Sequence, residues 1–217
     1  MGMSASSRRW ERVRAHTRAC LLEAAAQAFE ASGYDDTCMH RVAEIAGFTK
    51  ATVYAHYRDK ACLFAAVMEL HASNFPLSII PSQPLPGLKD ELAYVALEIQ
   101  KLAQVNACRR FCATLQRSAG GVAFYAELWN AYLAPYRAYV CAALVREGVE
   151  MAAHHADLYL QLMLQANSLQ VAQPAGPSAD ATLTLFHQAF SRTRPVRANP
   201  SVVGTGSSHW PGRTTEQ

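Results

Sequence analysis

Two short helical patterns lie between residues 39 and 57, and only Gly47, Phe48 and Thr49 separate them. Met39, Val42, Ala43 and Ala46 recur at helical spacing, with Thr37 placed to cap the first pattern. Gly47 is the expected left-handed residue after the last turn, and Phe48 can fold back on Val42 or Ala43 as a Schellman end requires. Thr49 can cap the second helix at once, with Phe48 stapled to Val53. Two helices joined by so few residues must turn steeply, which predicts a helix-turn-helix.

At 100° per residue, Val53 and Tyr57 of the second helix point inward, while Ala51 and Ala55 point the opposite way with Thr52 and Tyr54 on the flanks. Such a small, polar-edged face fits a major groove about 12 Å wide, where the hydroxyls and Lys50 reach base edges or phosphates. Lys50 stands in the first helical turn, where a cation opposes the macrodipole until an anion binds. Asp59 is expected to cap the next helix, and Lys60 puts another cation beside free backbone N–H groups.

The helix before this unit is expected from Trp10 to Ser32, with Val13, Thr17, Cys20, Leu21, Ala24, Ala28 and Phe29 as its buried stripe and Gly33 as its end. Residues 1 to 18, which take in its start, carry five Arg (Arg8, Arg9, Arg12, Arg14, Arg18) against Glu11, so the modest overall charge of +3 is concentrated at the chain ends. A basic arm of this kind suits either phosphate binding or solubility.

Residues 10 to 70, and above all TCMHRVAEIAGFTKATVYAHYRDKACLF from Thr37 to Phe64, resemble the DNA-binding domain of the tetracycline-repressor (TetR) family of bacterial transcription regulators. The resemblance implies that Lys50, Thr52, Tyr54, Ala55, His56 and Lys60 contact DNA, joined by Thr37 and His40 of the preceding helix; Thr49 and Ala51 complete the candidate surface. His40 stands where relatives often carry Arg and Ala51 where they often carry Gly, which leaves the operator sequence open. Tyr54 and His56 also have structural readings, as a core aromatic and as a buried hydrogen-bonding ring.

Beyond the head, a helix from Lys60 to about Asn74 gives way to PLSIIPSQPLPG, whose four prolines in residues 76 to 87 exclude a helix. Helical patterns resume at Leu88–Gln104, Ala107–Arg117, Val122–Val149, Asp157–Val171 and Ala179–Phe190, without strand alternation or repeat. The fold class expected is all-α: an N-terminal three-helix helix-turn-helix DNA-binding domain with its basic arm (residues 1–59), a helical ligand-binding and dimerisation domain (60–190) and a disordered tail (191–217). Tyr125, Trp129, Tyr132, Tyr136 and Tyr139 form one stripe interrupted by Pro135, which bends a helix and can open a cavity. Phe111, Tyr125, Trp129, Tyr132 and Tyr136 are the candidate ligand-binding residues; ordinary core packing is the rival reading.

The Asp157–Val171 segment is apolar on more than one side and needs two partners, which suits an isologous four-helix bundle with Ala179–Phe190 of a second subunit. Two recognition helices about 34 Å apart then read a palindrome of double-stranded DNA. The six cysteines show no metal spacing, and no nucleophile-base pair stands out, so no catalytic residue, cofactor or metal is expected. No apolar run approaches the ~20 residues of a membrane helix, and the expected location is the cytoplasm. The function expected is a homodimeric repressor released from a palindromic operator by a small-molecule effector. The alternatives are a helical small-molecule binding protein or enzyme with a vestigial head, and a DNA-binding activator without effector.

Overall fold

The computed structural model describes residues 5–118, 123–169 and 178–190, and among these the ordered elements are all helices. In chain order they are α1 (Ala5–Asp36), α2 (Met39–Ala46), α3 (Lys50–His56), α4 (Lys60–Ala72), α5 (Leu88–Gln104), α6 (Asn106–Gln116), α7 (Ala123–Arg146), α8 (Ala152–Ala166) and α9 (Ala179–Phe190). The all-α expectation holds over this range. The expected tail at 191–217 lies outside the described residues, and the helix expected over Asp157–Val171 runs instead from Ala152 to Ala166, ending at Asn167.

The first helix differs from expectation at its start, which lies at Ala5; it breaks at Gly33 (φ 75°, ψ −179°) as expected, and a short helical stretch follows to Asp36. Val13, placed in the buried stripe by its spacing, is 50% exposed, because burial on α1 begins at Leu21, where α2, α4 and α6 cover it. From there Leu21, Ala24, Ala25, Ala28 and Phe29 form the centre of the head, joined by Met39, Val42 and Ala43 of α2, Val53 of α3, and Leu63 and Phe64 of α4.

Thr37 does not cap α2. Cys38 holds the N-cap position, while the Thr37 hydroxyl is buried and donates to the carbonyls of Gly33 (2.7 Å) and Ala28 (3.2 Å). Its hydroxyl therefore ties the start of α2 back to the end of α1.

α4 packs on both α1 and α6, so it carries the head into the body. The proline-rich segment after it is irregular, as its composition demands, and α5 resumes at Leu88. α7 packs along α8, α5 lies against α7 and α9, and α8 meets α9. The apolar bulk of α8 is largely covered inside the chain, since Tyr159, Leu160, Met163 and Leu164 are buried and the Tyr159 hydroxyl donates to the Leu92 carbonyl at 2.7 Å. Leu158 and Leu185 remain exposed, at 40% and 60%.

Polar ties join α6 and the residues just after it to α1. The Arg110 guanidinium donates to both Glu23 oxygens (3.0 and 3.1 Å) and to Glu30 (3.0 Å). Arg117 donates to the Ala31 carbonyl (2.9 Å), and the Tyr34 N–H donates to Ser118 Oγ (2.9 Å). The Arg110 contact is also what draws the Glu23 carboxyl below its ordinary pKa.

Candidate nucleic-acid interface

The interface candidate is built by the two helix ends at Gly47 and Thr49. Gly47 adopts φ 69°, ψ 28°; its N–H reaches the Glu44 carbonyl (3.2 Å) and the Phe48 N–H reaches that of Ala43 (3.0 Å), which is the full Schellman pair. Thr49 then caps α3, its hydroxyl accepting from the Thr52 N–H at 3.2 Å and lying 2.9 Å from the Thr52 hydroxyl. With both ends satisfied locally, α2 and α3 are held at a fixed angle without help from the body.

The faces of α3 follow the helical wheel. Val53 and Tyr57 are buried beneath it, Lys50, Ala51, Tyr54 and Ala55 are exposed, and Thr52 and His56 are half-buried at the edges. Tyr54 is 46% exposed with the Lys50 ammonium 5.8 Å from its ring centre, so a cation and an aromatic edge stand together on the outer face. On α2, His40 is exposed and pairs with Glu44 (3.2 Å), which also holds Arg41 (3.2 Å).

Two residues expected at the interface are turned elsewhere. Thr37 is buried and bonded to α1, as described above. The Lys60 ammonium donates to the carbonyls of Tyr34 (2.8 Å) and Asp35 (3.1 Å) and sits 4.4 Å from the Tyr34 ring centre. Carbonyls at the end of α1 supply the negative charge that the sequence alone assigns to phosphate. Asp59 does cap α4: its carboxylate accepts from the Cys62 N–H at 2.8 Å and pairs with Arg58 at 3.0 Å. Those bonds, the Cys62 N–H first, hold its pKa down to about 2.

Arg18, one of the arginines of the basic arm, takes a place that the sequence does not announce. Its guanidinium lies 5.7 Å from the ring centre of Tyr57, the residue that ends α3, which places the root of the basic segment beside the recognition helix. No local signal marks a pairing across so many residues.

In the body the expected ligand-binding aromatics are mostly packed against one another. Phe111 and Tyr136 are fully buried, and Tyr125 lies at the ring junction between Phe64 (5.6 Å) and Phe111 (6.4 Å). Phe75, from the segment after α4, fills the centre of the group, 5.0 Å from Phe111, 5.4 Å from Trp129 and 4.9 Å from Tyr132. Phe111, Tyr125 and Tyr136 are thus packed within the core and, unlike Trp129, do not line the cleft between α7 and α8. Tyr132 donates to the Pro76 carbonyl (2.8 Å) and borders an open groove with Leu77 and Leu128. Trp129 lines a cleft of about 260 Å³ between α7 and α8, with Leu133, Leu160, Leu164 and Leu169 as its floor and Asn130, Gln161 and the Arg137–Asp157 ion pair at its edge. Pro135 is exposed on α7, which stays one helix through it.

Among the described residues no group of three or more His, Cys, Asp or Glu could hold a metal ion, and no helix is long and apolar enough to cross a membrane. Burial pushes the Cys108 thiol up to about 11 and the Cys112 thiol further, which keeps both protonated and unreactive.

Residues 21–67 match the sequence model of the family described as bacterial regulatory proteins, tetR family. Over 85 residues the chain is 33% identical to the HTH-type transcriptional regulator AcrR of Shigella flexneri, a stretch covering 36% of this chain and 40% of that protein. Over 68 residues it is 37% identical to the HTH-type transcriptional regulator TtgR of Pseudomonas putida, covering 31% of this chain and 32% of the relative. The chain thus matches less than half the length of these relatives. A solved structure of NalD, a secondary repressor of the MexAB-OprM multidrug efflux pump in Pseudomonas aeruginosa, aligns over 82% of this chain and 97% of its own with a TM-score of 0.49 and 20% identity. Over residues 21–67, the helix-turn-helix head, the chain is therefore similar to the tetR family of bacterial regulatory proteins.

Proposed function

We propose that the protein is a transcriptional regulator that binds double-stranded DNA through the outer face of α3. It acts as a homodimeric repressor, released from a palindromic operator by a small apolar ligand. The observation that carries the reading is the exposed Lys50-Ala51-Tyr54-Ala55 face, set on a helix whose two ends are capped by its own neighbours. Two small side chains let the backbone approach base edges, while Lys50 and Tyr54 supply a cation and a hydroxyl at the flanks. Thr49, Thr52, His56 and His40 surround that face and complete the contact set. The names of the matched relatives, both transcriptional regulators, support the same reading.

In this reading residues 1–59 form the DNA-binding domain and residues 60–190 the effector and dimerisation domain. The ligand enters the α7–α8 cleft, whose floor is aliphatic and indole and whose rim offers amide and charged groups. Leu158 of α8 and Leu185 of α9 are the exposed apolar residues through which a second copy docks. Ligand binding favours a head spacing that misfits the operator, and by linkage DNA weakens the ligand. The regulator works without catalysis, and in the cytoplasm.

The test is enrichment of duplexes from a random pool by the full chain, followed by titration of the enriched duplex. A palindromic consensus and a binding slope against salt corresponding to several released counterions are expected. Absence of any enriched sequence, with a shallow slope, would refute the proposal.

A further inference from the structure

We infer that residues 5–18, the projecting part of α1, form a second contact for duplex DNA: a rigid basic rod that binds backbone phosphates flanking the bases under α3. The inference rests on the DNA-binding reading above. The segment is helical and continuous with the buried part of α1, so at 1.5 Å per residue it reaches about 20 Å beyond the head. Almost every side chain from Ser6 to Ala19 is exposed. Five arginines stand on it against Glu11, and Arg8, Arg9, Arg12 and Arg14 form no ion pair among the described residues.

Standing alone, this rod is electrostatically unfavourable. Arg8 and Arg9 lie near its first turn, which holds no acidic residue, so their charge adds to the positive end of the macrodipole. Phosphates at that end reverse the sign of both effects. The rod also starts where DNA would be: Arg18, at its root, stacks 5.7 Å from the ring of Tyr57, which terminates the recognition helix. Charge decides the occupant. A second copy would bring an identical set of arginines and repel, whereas a polyanion releases counterions on binding. Trp10 and Val13, 71% and 50% exposed, continue the apolar stripe of α1 onto the rod and offer flat surface to the sugar edges between phosphates.

The experiment uses the full chain and two duplexes. One carries the sequence that the protein enriches from a random pool plus a helical turn of flank (about 10 bp) on each side; the other is trimmed to the enriched core. The variant is Arg8→Gln with Arg9→Gln, Arg12→Gln and Arg14→Gln, changes that leave the buried part of α1 untouched. On the flanked duplex its slope of log affinity against log salt is expected to be shallower than wild type by up to about 3.6 for each rod engaged, about 0.9 for each of the four arginines in contact. On the trimmed duplex the two proteins are expected to agree. Equal slopes on the flanked duplex would overturn the inference, as would a variant that loses binding to phosphatidylglycerol vesicles but not to DNA. A separate Lys50→Ala, Tyr54→Ala protein keeps the two ideas apart. If that change leaves duplex binding intact, the α3 reading fails, whatever the rod variant does.

Discussion

Replacing Gly33 by Ala tests the claim that the end of α1 and the end of α6 are in backbone contact. Gly33 has φ 75° with ψ −179°, a region in which a residue bearing a Cβ costs about 1–3 kcal/mol. An added Cβ would lie 1.9 Å from the Arg117 carbonyl oxygen and 2.6 Å from its carbon. Neither atom can swing aside as a side-chain tip would, so the end of α6 must retreat to make room. That movement strains the Tyr34 to Ser118 and Arg117 to Ala31 hydrogen bonds, worth about 1 kcal/mol each. The total is roughly 3–5 kcal/mol, or on the order of 10 °C in Tm for a chain of this size. Gly47→Ala is the control: it also sits at positive φ, but its Cβ meets nothing within 4 Å, so only the conformational penalty of about 1 kcal/mol applies. Urea unfolding followed by circular dichroism at one protein concentration gives both values. Should Gly33→Ala prove no more destabilising than Gly47→Ala, the close approach of α1 and α6 is wrong.

Lys50→Ala should reduce the salt slope of duplex binding by about 1, whereas Lys60→Ala should leave the slope unchanged and lower the unfolding midpoint, because Lys60 is bonded to the end of α1. A Lys60→Ala slope as shallow as that of Lys50→Ala would restore the phosphate role to Lys60. Thr49→Ala removes the cap of a seven-residue helix and is expected to cost about 1 kcal/mol in unfolding free energy, a value near zero counting against the cap. His71 is buried beside Glu23, Glu30 and Arg110, and burial holds its pKa below 6.5. The unfolded chain therefore takes up a proton first, so the stability owed to the neutral ring is complete above about pH 7 and declines as pH falls through 6.5. His71→Leu should flatten that decline between about pH 7 and about pH 5, and an unchanged pH profile would exclude His71 as its source.

The recognition unit is legible in the sequence because its signals are local. Gly47, Phe48, Thr49 and Asp59 act through hydrogen bonds that span no more than five residues, and each forms as its spacing implies. The alternation of Val53 and Tyr57 with Ala51 and Ala55 likewise needs only the helical repeat. Thr37 and Lys60 are misplaced by sequence because the carbonyls they bind lie around a glycine break in α1, and nothing adjacent to either residue announces it. The aromatic stripe of α7 is visible in the spacing, but Phe75 is not assignable to those rings, since its contacts to Phe111, Trp129 and Tyr132 come from a segment without period. A cavity depends on volume left between elements, and the α7–α8 cleft accordingly takes in Trp129 while the other rings close on each other. Val13 shows the converse limit: helical register gives the direction of a side chain, yet only the neighbours of α1 decide where burial begins.

The arginine that α6 extends to two carboxylates of α1 bears on how freely such heads and bodies can be interchanged. A chimera cut after residue 59 would leave Glu23 and Glu30 facing a foreign α6, and Gly33 facing whatever backbone replaced Arg117. Grafting the head onto another body should therefore succeed only when residues 110–118 travel with it, which makes the true modular joint a pair of cuts rather than one.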